Sequence, residues 1–278
     1  MERREFLSTT GALALGAMLP PACRTAHGAK LDKIGIQLYT VRDQMKADFE
    51  GTLARIAQIG YQEVEFAGYF DRSPADVRAI LDRNGLTAPA THMMSDNPEG
   101  WKKAIDLAKA VGHDYLVAPW IPEEKRKTLD GWKRVAEEFN RVGQTAMDAG
   151  IQFAYHNHDF EFVPKMEGRI PFDVLLENTD PKLVQLEIDL YWITKGGEDP
   201  LAYFARWPGR VPLVHVKDSM GGPEHQMVDV GQGKIPWARI FAKRDQAGIK
   251  HFFVEHDQPP QPFEGIATSY RYLKNLEF

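Results

Sequence analysis

Ile34-Gly35-Ile36-Gln37-Leu38-Tyr39-Thr40-Val41-Arg42 decides the architecture. Its first six residues read as a short apolar strand, and a helix-like run over residues 43–59 follows, stopped by Gly60. An open doubly wound sheet usually carries a glycine-rich phosphate turn at this first joint between strand and helix. Gln37-Leu38-Tyr39-Thr40-Val41-Arg42 contains no glycine. The other architecture open to alternating strands and helices is a closed parallel barrel.

The rest of the chain repeats the pattern. Glu63-Val64-Glu65-Phe66-Ala67 is a second strand; Ser73-Pro74 caps the next helix, with proline at its first position, and Asn84-Gly85 ends it. Residues 87–92 form a weaker third strand, and Asn97-Pro98 opens a helix reaching about residue 111. Tyr115-Leu116-Val117-Ala118-Pro119-Trp120 is the fourth strand, before a long amphipathic helix over residues 129–149 that Gly150 stops. The fifth strand starts at Ile151, and residues 171–177 form a short helix. Residues 184–190 and 211–216 are strands six and seven, separated by a short helix that Asp199-Pro200 starts. Residues 237–247 are helical up to Gly248; residues 251–255 make the eighth strand, and a last helix covers residues 262–276. Eight such units in one domain over residues 33–278 match the size and order of a (β/α)8 barrel, an α/β fold of roughly 250 residues. No solenoid-period repeat, low-complexity linker or domain break interrupts them.

Residues 1–28 stand apart. Glu2-Arg3-Arg4-Glu5-Phe6-Leu7 precedes the short apolar run 11–19, the order of a bacterial twin-arginine export signal. The run is too short to span a bilayer, which needs roughly 20 apolar residues, so no transmembrane span is expected. A lipoprotein signal would place its lipid anchor at Cys23, although Pro20-Pro21 fits a lipobox poorly; cleavage near residues 26–29 competes with it. The expected location is periplasmic or exported.

The chain has 278 residues, 43% of them hydrophobic, a formal net charge of -5 and one cysteine. The acidic balance argues against nucleic acid as a partner. A single cysteine excludes an intrachain disulfide.

The fifth strand leads into Tyr155-His156-Asn157-His158-Asp159-Phe160-Glu161-Phe162. If the strand continues, alternation puts Gln152, Ala154, His156 and His158 on one face. Burying so many polar groups costs about 1–3 kcal/mol for each one left unpaired, so the stretch either binds something or is a polar surface loop rich in histidine. Functional groups in such a barrel gather at the C-terminal strand ends. Those ends supply Gln37, Glu65, His92, Trp120, His156, His158, Asp189, His215, Lys217 and Glu255. Converging strands would bring His156, Asp189, His215 and Glu255 together as a mixed nitrogen and oxygen donor set for one divalent metal ion: Mn, Zn, Co, Fe or Mg. Each has a structural alternative: His215 as a satisfied core histidine, Asp189 as a cap of the next segment, Glu255 as a partner of a nearby cation.

Gly35-Ile36-Gln37-Leu38-Tyr39, Glu187-Ile188-Asp189-Leu190-Tyr191-Trp192, His215-Val216-Lys217-Asp218 and Val254-Glu255-His256-Asp257 resemble the xylose-isomerase-like barrel superfamily, and more narrowly its exported sugar phosphate isomerase/epimerase branch. The resemblance runs over nearly all of the chain from Lys33. It implies one divalent metal held by groups from strands five to eight. Most relatives carry a glutamate on the fifth strand, where this chain has His156; a reach from His158 or Glu161 would also fill that place. Trp192 stands where epimerases often carry a substrate-binding histidine.

A metal chelated by an α-hydroxycarbonyl would stabilise the charge that develops when the neighbouring C–H loses its proton. Reprotonation gives an isomerase or epimerase; loss of a β-substituent gives a lyase. The candidate bases are His158, Glu161 and Lys217, the lysine only if its pKa is lowered. Gln37, Glu65, His92, Trp120 and Trp192 are the candidate substrate contacts. Tyr39, Trp120, Tyr155 and Trp192 would offer stacking faces to a carbohydrate. No strand end carries a phosphate clamp, which favours free sugars and glycosides over a sugar phosphate; the resemblance to exported relatives thought to act as lyases on 3-keto-glycosides implies that class of substrate. A non-catalytic carbohydrate-binding barrel and a nuclease of the AP endonuclease type are the readings of other classes.

Overall fold

A computed structural model describes residues 28–278. The expected leader over residues 1–28, with Cys23, lies outside the described residues apart from Gly28. No helix among the described residues is long and apolar enough to cross a membrane.

Eight parallel strands close into a barrel: β1 (Gly35–Gln37), β2 (Glu63–Phe66), β3 (Thr87–His92), β4 (Tyr115–Ala118), β5 (Gln152–His156), β6 (Val184–Asp189), β7 (Leu213–Val216) and β8 (His251–Val254). Each pairs with its sequence neighbours, and β8 pairs with β1 through Gly35 beside Phe253, which shuts the sheet. Closure leaves no free edge. Gly35 is required here because a Cβ would sit 2.6 Å from the Phe253 ring. Alternation divides each strand between two environments. Outward residues such as Phe153, Tyr155, Leu186 and Val214 join the large core under the helices, while Ala90, Tyr115, Val117, Ala154, Leu213 and Phe253 form a separate cluster.

Three expected elements differ in detail. The run 43–59 is two helices, Arg42–Ala47 and Phe49–Ile59, because the Asp48 carboxylate accepts from Gly51 N at 2.9 Å and caps the second. Residues 237–247 likewise divide into Trp237–Phe241 and Arg244–Ala247. After β1 the chain turns into a 3-10 helix, Leu38–Val41, so Tyr39 leaves the sheet.

The loop after β7 contains a small antiparallel hairpin, Asp218–Ser219 against Met227–Val228. Its organiser is the buried Asp218 carboxylate. It accepts from the backbone N–H of Ser219, Gly231, Gly233 and Ile235 at 2.8–3.3 Å, and from Trp237 Nε1 at 3.0 Å. Gly233 has no room for a side chain, since a Cβ would lie 2.1 Å from Asp218 Oδ1.

Candidate metal centre and active-site cavity

The two-residue period that builds the barrel also stacks the polar groups of its upper half. On β6, Glu187 and Asp189 are two apart and face inward; on β7, His215 and Lys217 do the same. His92 ends β3, His156 ends β5, and Glu255 follows β8. Within this layer Glu65, Glu187, Asp189 and Glu255 are all buried.

Asp189 uses its two oxygens differently. Oδ1 accepts from Tyr191 N and Trp192 N, both at 2.9 Å, and so caps the helix Leu190–Lys195. Oδ2 turns into the barrel, 3.7 Å from His215 Nδ1 and 3.8 Å from His156 Nε2. His215 Nδ1 is 2.6 Å from Glu255 Oε2. Lys217 Nζ approaches Asp189 Oδ2 at 3.0 Å, Glu255 Oε2 at 2.8 Å and Asp257 Oδ1 at 2.8 Å. Yet Asp189 Oδ2, His215 Nδ1 and Glu255 Oε2 have no partner in hydrogen-bond geometry. Three buried donor atoms of metal-binding type, mutually close and without an aligned hydrogen bond, two of them ion-paired with Lys217, fit a divalent cation.

A second group lies just below. Glu187 Oε2 stands 2.6 Å from His92 Nε2, 3.1 Å from His156 Nδ1 and 3.2 Å from His215 Nε2. Glu65 Oε2 lies 2.6 Å from His215 Nε2 and accepts from Gln37 Nε2 at 2.8 Å. A proton on His215 Nε2 shared with Glu65 leaves Nδ1 with its lone pair toward the Asp189 and Glu255 oxygens.

Four buried carboxylates crowd a layer that also holds His92, His215 and Lys217. Burial, then Glu187, push the Glu65 carboxyl up to about 7; burial raises Asp189 to about 6 against the pull of Lys217. Against the same burial, His215 and His92 hold Glu187, and Lys217 and His215 hold Glu255, well below the ordinary carboxylate range. Burial alone would lower the Lys217 pKa, but Asp189, Glu255 and Asp257 outweigh it and hold the ammonium well above its ordinary value. That is opposite to the lowering a lysine base requires. Burial, with His156 and Lys217 beside it, holds His158 well below its ordinary pKa, so its imidazole is neutral at physiological pH.

The barrel mouth opens into a cavity of about 530 Å³ lined by His92, Trp120, His156, His158, Lys217 and Glu255 among others. Of the groups read from the sequence, Asp189, His215 and Glu255 come together, and His156 borders them. His156 is joined to the Glu187 group through Nδ1.

Five of the expected residues lie elsewhere than expected. Gln37 and Glu65 do not line the cavity: they bond to each other and to His215 inside the barrel. Glu161 faces away, fully buried, taking the Tyr155 hydroxyl and His158 N–H as donors, so it positions the His158 loop instead of meeting substrate. Tyr155 therefore lies among the helices and offers no stacking face. Trp192 packs beside His158 with ring centroids 5.4 Å apart and does not line the cavity. Sequence reading passed over Glu187 as a site residue, although its spacing of two from Asp189 on one strand is the signal that places both inside. It also passed over Asp257, whose partnership with Lys217 joins two different strand ends.

Known proteins share the fold. An inosose dehydratase from Clostridium beijerinckii is 29% identical over 267 residues, covering 81% of this chain and 89% of its own. The crystal structure of a sugar phosphate isomerase/epimerase from Parabacteroides distasonis superposes with a TM-score of 0.77 at 28% identity, covering 94% of this chain and 98% of the other. A crystal structure of IOLI protein with a binding zinc atom shares the fold at 17% identity, with a TM-score of 0.67 over 86% of this chain and 95% of that one. Residues 53–276 match the family described as Xylose isomerase-like TIM barrel. The chain belongs to the xylose isomerase-like TIM barrel family.

Proposed function

We propose that the protein is a metal-dependent enzyme acting on a keto-sugar. It takes the proton from the carbon beside the ketone and expels the substituent one carbon further on, as a lyase on a 3-keto-glycoside does. The convergence of Asp189 Oδ2, His215 Nδ1 and Glu255 Oε2, close enough to share one cation, carries this reading. The likeness to a dehydratase of a keto-sugar supports elimination as the outcome. The likeness to a sugar phosphate isomerase/epimerase supports the version in which the proton is returned to the sugar.

A divalent cation held by Asp189, His215 and Glu255 would polarise a substrate carbonyl and acidify the neighbouring C–H. Mn, Zn, Co, Fe and Mg all suit nitrogen and carboxylate donors. His158 lines the cavity and its Nδ1 has no hydrogen-bond partner, so we assign it as the base that takes the proton. As the C–H bond breaks, its electron pair forms a C=C bond and the C–O bond to the leaving group opens. His158 then returns the same proton to the departing oxygen, which balances the step. Lys217, held as an ammonium, faces the developing negative charge as a fixed cation.

We also propose export through the leader over residues 1–28, with Cys23 as a lipid anchor. Fractionation of tagged protein tests both. Arg3→Lys with Arg4→Lys should strand it in the cytoplasm, and Cys23→Ser should release it from membranes. Unchanged fractions would refute each in turn.

The decisive experiment is elemental analysis of leaderless protein, then NMR with a 3-keto-glucoside in D₂O. One bound divalent metal, loss of the C2–H signal and release of the aglycone establish the lyase. Exchange without release moves the assignment to isomerisation or epimerisation. No metal under any loading condition sinks the site.

A further inference from the structure

The cavity has two chemically different walls. One carries His156, His158, Lys217, Glu255 and Asp257; the other carries Tyr39, Met93, Met94, Pro119 and Trp120, interrupted by Arg42 and His92. Its volume of about 530 Å³ falls in the roughly 300–1,000 Å³ range that holds drug-sized molecules, more than one sugar ring calls for. Six large apolar side chains are exposed among the described residues, and three of them meet here: Tyr39 at 43%, Met94 at 46% and Trp120 at 39%. Apolar surface gathered at one mouth, instead of scattered singly, marks a binding surface.

These side chains are also held in place. Arg126 lies 5.3 Å over the Trp120 ring, and Phe160 meets the same ring edge-on at 4.7 Å. Arg42 covers one face of Tyr39 at 4.2 Å while donating to Tyr39 O and Asp257 O. Trp120 adjoins His158, with centroids 4.9 Å apart, so the apolar wall begins beside the proposed base. A sugar with its reacting carbon at His158 has Trp120 within reach of the substituent on the next carbon, and Met94 lines the same cavity.

We infer that this wall is a leaving-group subsite, and that the substrate is a keto-glycoside carrying an aromatic aglycone. The inference rests on the elimination proposed above and adds the class of group expelled. Thioethers favour aromatic edges, and an indole offers a flat face. A free cyclic keto-polyol would leave both uncovered.

The test compares metal-loaded enzyme on 3-keto derivatives of benzyl and methyl β-glucoside, whose leaving alkoxides are alike in basicity. The benzyl substrate should show kcat/KM at least about tenfold higher, equivalent to about 1.4 kcal/mol. Met94→Ser and Trp120→Ala should each reduce that ratio about fivefold or more. A wild-type ratio near one, or a ratio that neither variant changes, overturns the subsite while leaving the elimination standing. If neither compound is turned over, the elimination itself fails. Calorimetry with the unoxidised benzyl and methyl β-glucosides then decides the subsite: about tenfold tighter binding of benzyl supports it, and equal binding overturns it.

Discussion

Glu65 Oε2 and His215 Nε2 lie 2.6 Å apart inside the barrel, one level below the mouth. The contact settles which imidazole nitrogen faces Asp189 and Glu255, although Glu65 itself never reaches the cavity. Removing the charge of such a partner typically weakens metal binding about 10–100-fold. Glu65→Gln should do so with the barrel intact, as read by calorimetric titration with Mn²⁺ or Zn²⁺ beside circular dichroism. Unaltered affinity would show that the ring is oriented without it.

Asp189→Asn separates two duties of one side chain. Asparagine keeps an oxygen for Tyr191 N and Trp192 N, so the cap and the fold should survive. Its amide in place of Oδ2 should abolish stoichiometric metal, as should His215→Ala. Elemental analysis after gel filtration reads the result, and full metal retention in either variant would refute the assignment.

Lys217→Met takes away the buried ammonium that contacts Asp189, Glu255 and Asp257. Metal should be retained, since its ligands are untouched. Turnover should fall by about 10²–10³-fold if the ammonium stabilises developing charge. Without metal, breaking a buried ion pair costs about 3–5 kcal/mol, so the metal-free variant should melt well below the metal-free parent. Unchanged kinetics would make Lys217 purely structural.

Glu161 gives the protein a pH signature of its own. Burial raises its pKa from the ordinary 4.5 to about 8, against the hydrogen bonds from Tyr155 and His158 N–H. The folded chain keeps this proton where the unfolded chain has lost it, so stability declines as pH climbs from about 4.5 to about 8. Glu161→Gln, neutral throughout, should flatten the dependence of melting temperature on pH across that window. An unchanged slope would mean that the folded carboxyl is ionised.

The barrel was legible because strands covered on both faces read as short apolar runs, punctuated by Gly60, Gly85, Gly150 and Gly248. Asp189, His215 and Glu255 were legible because strand ends gather at one face of a barrel. The direction of Glu161 was not, since it depends on an outward-facing Tyr155 one strand end away. The hairpin after β7 was equally hidden, because two-residue strands carry no periodicity and this one depends on a carboxylate meeting donors up to nineteen residues away. Glu187 was hidden in plain view, its spacing from Asp189 read as motif instead of geometry.

The Asp218 knot reaches further than its own loop. Met227 of the same hairpin accepts from Asp257 N, and Asp257 holds Lys217, so the β7 side of the mouth is ordered through to the cavity. Much of the configurational entropy of that wall is lost when the chain folds, not when a ligand arrives. Loosening the knot with Asp218→Ala would shift that loss to the moment of association, and weaker binding would appear as a less favourable entropy, with the contacts to the ligand unchanged.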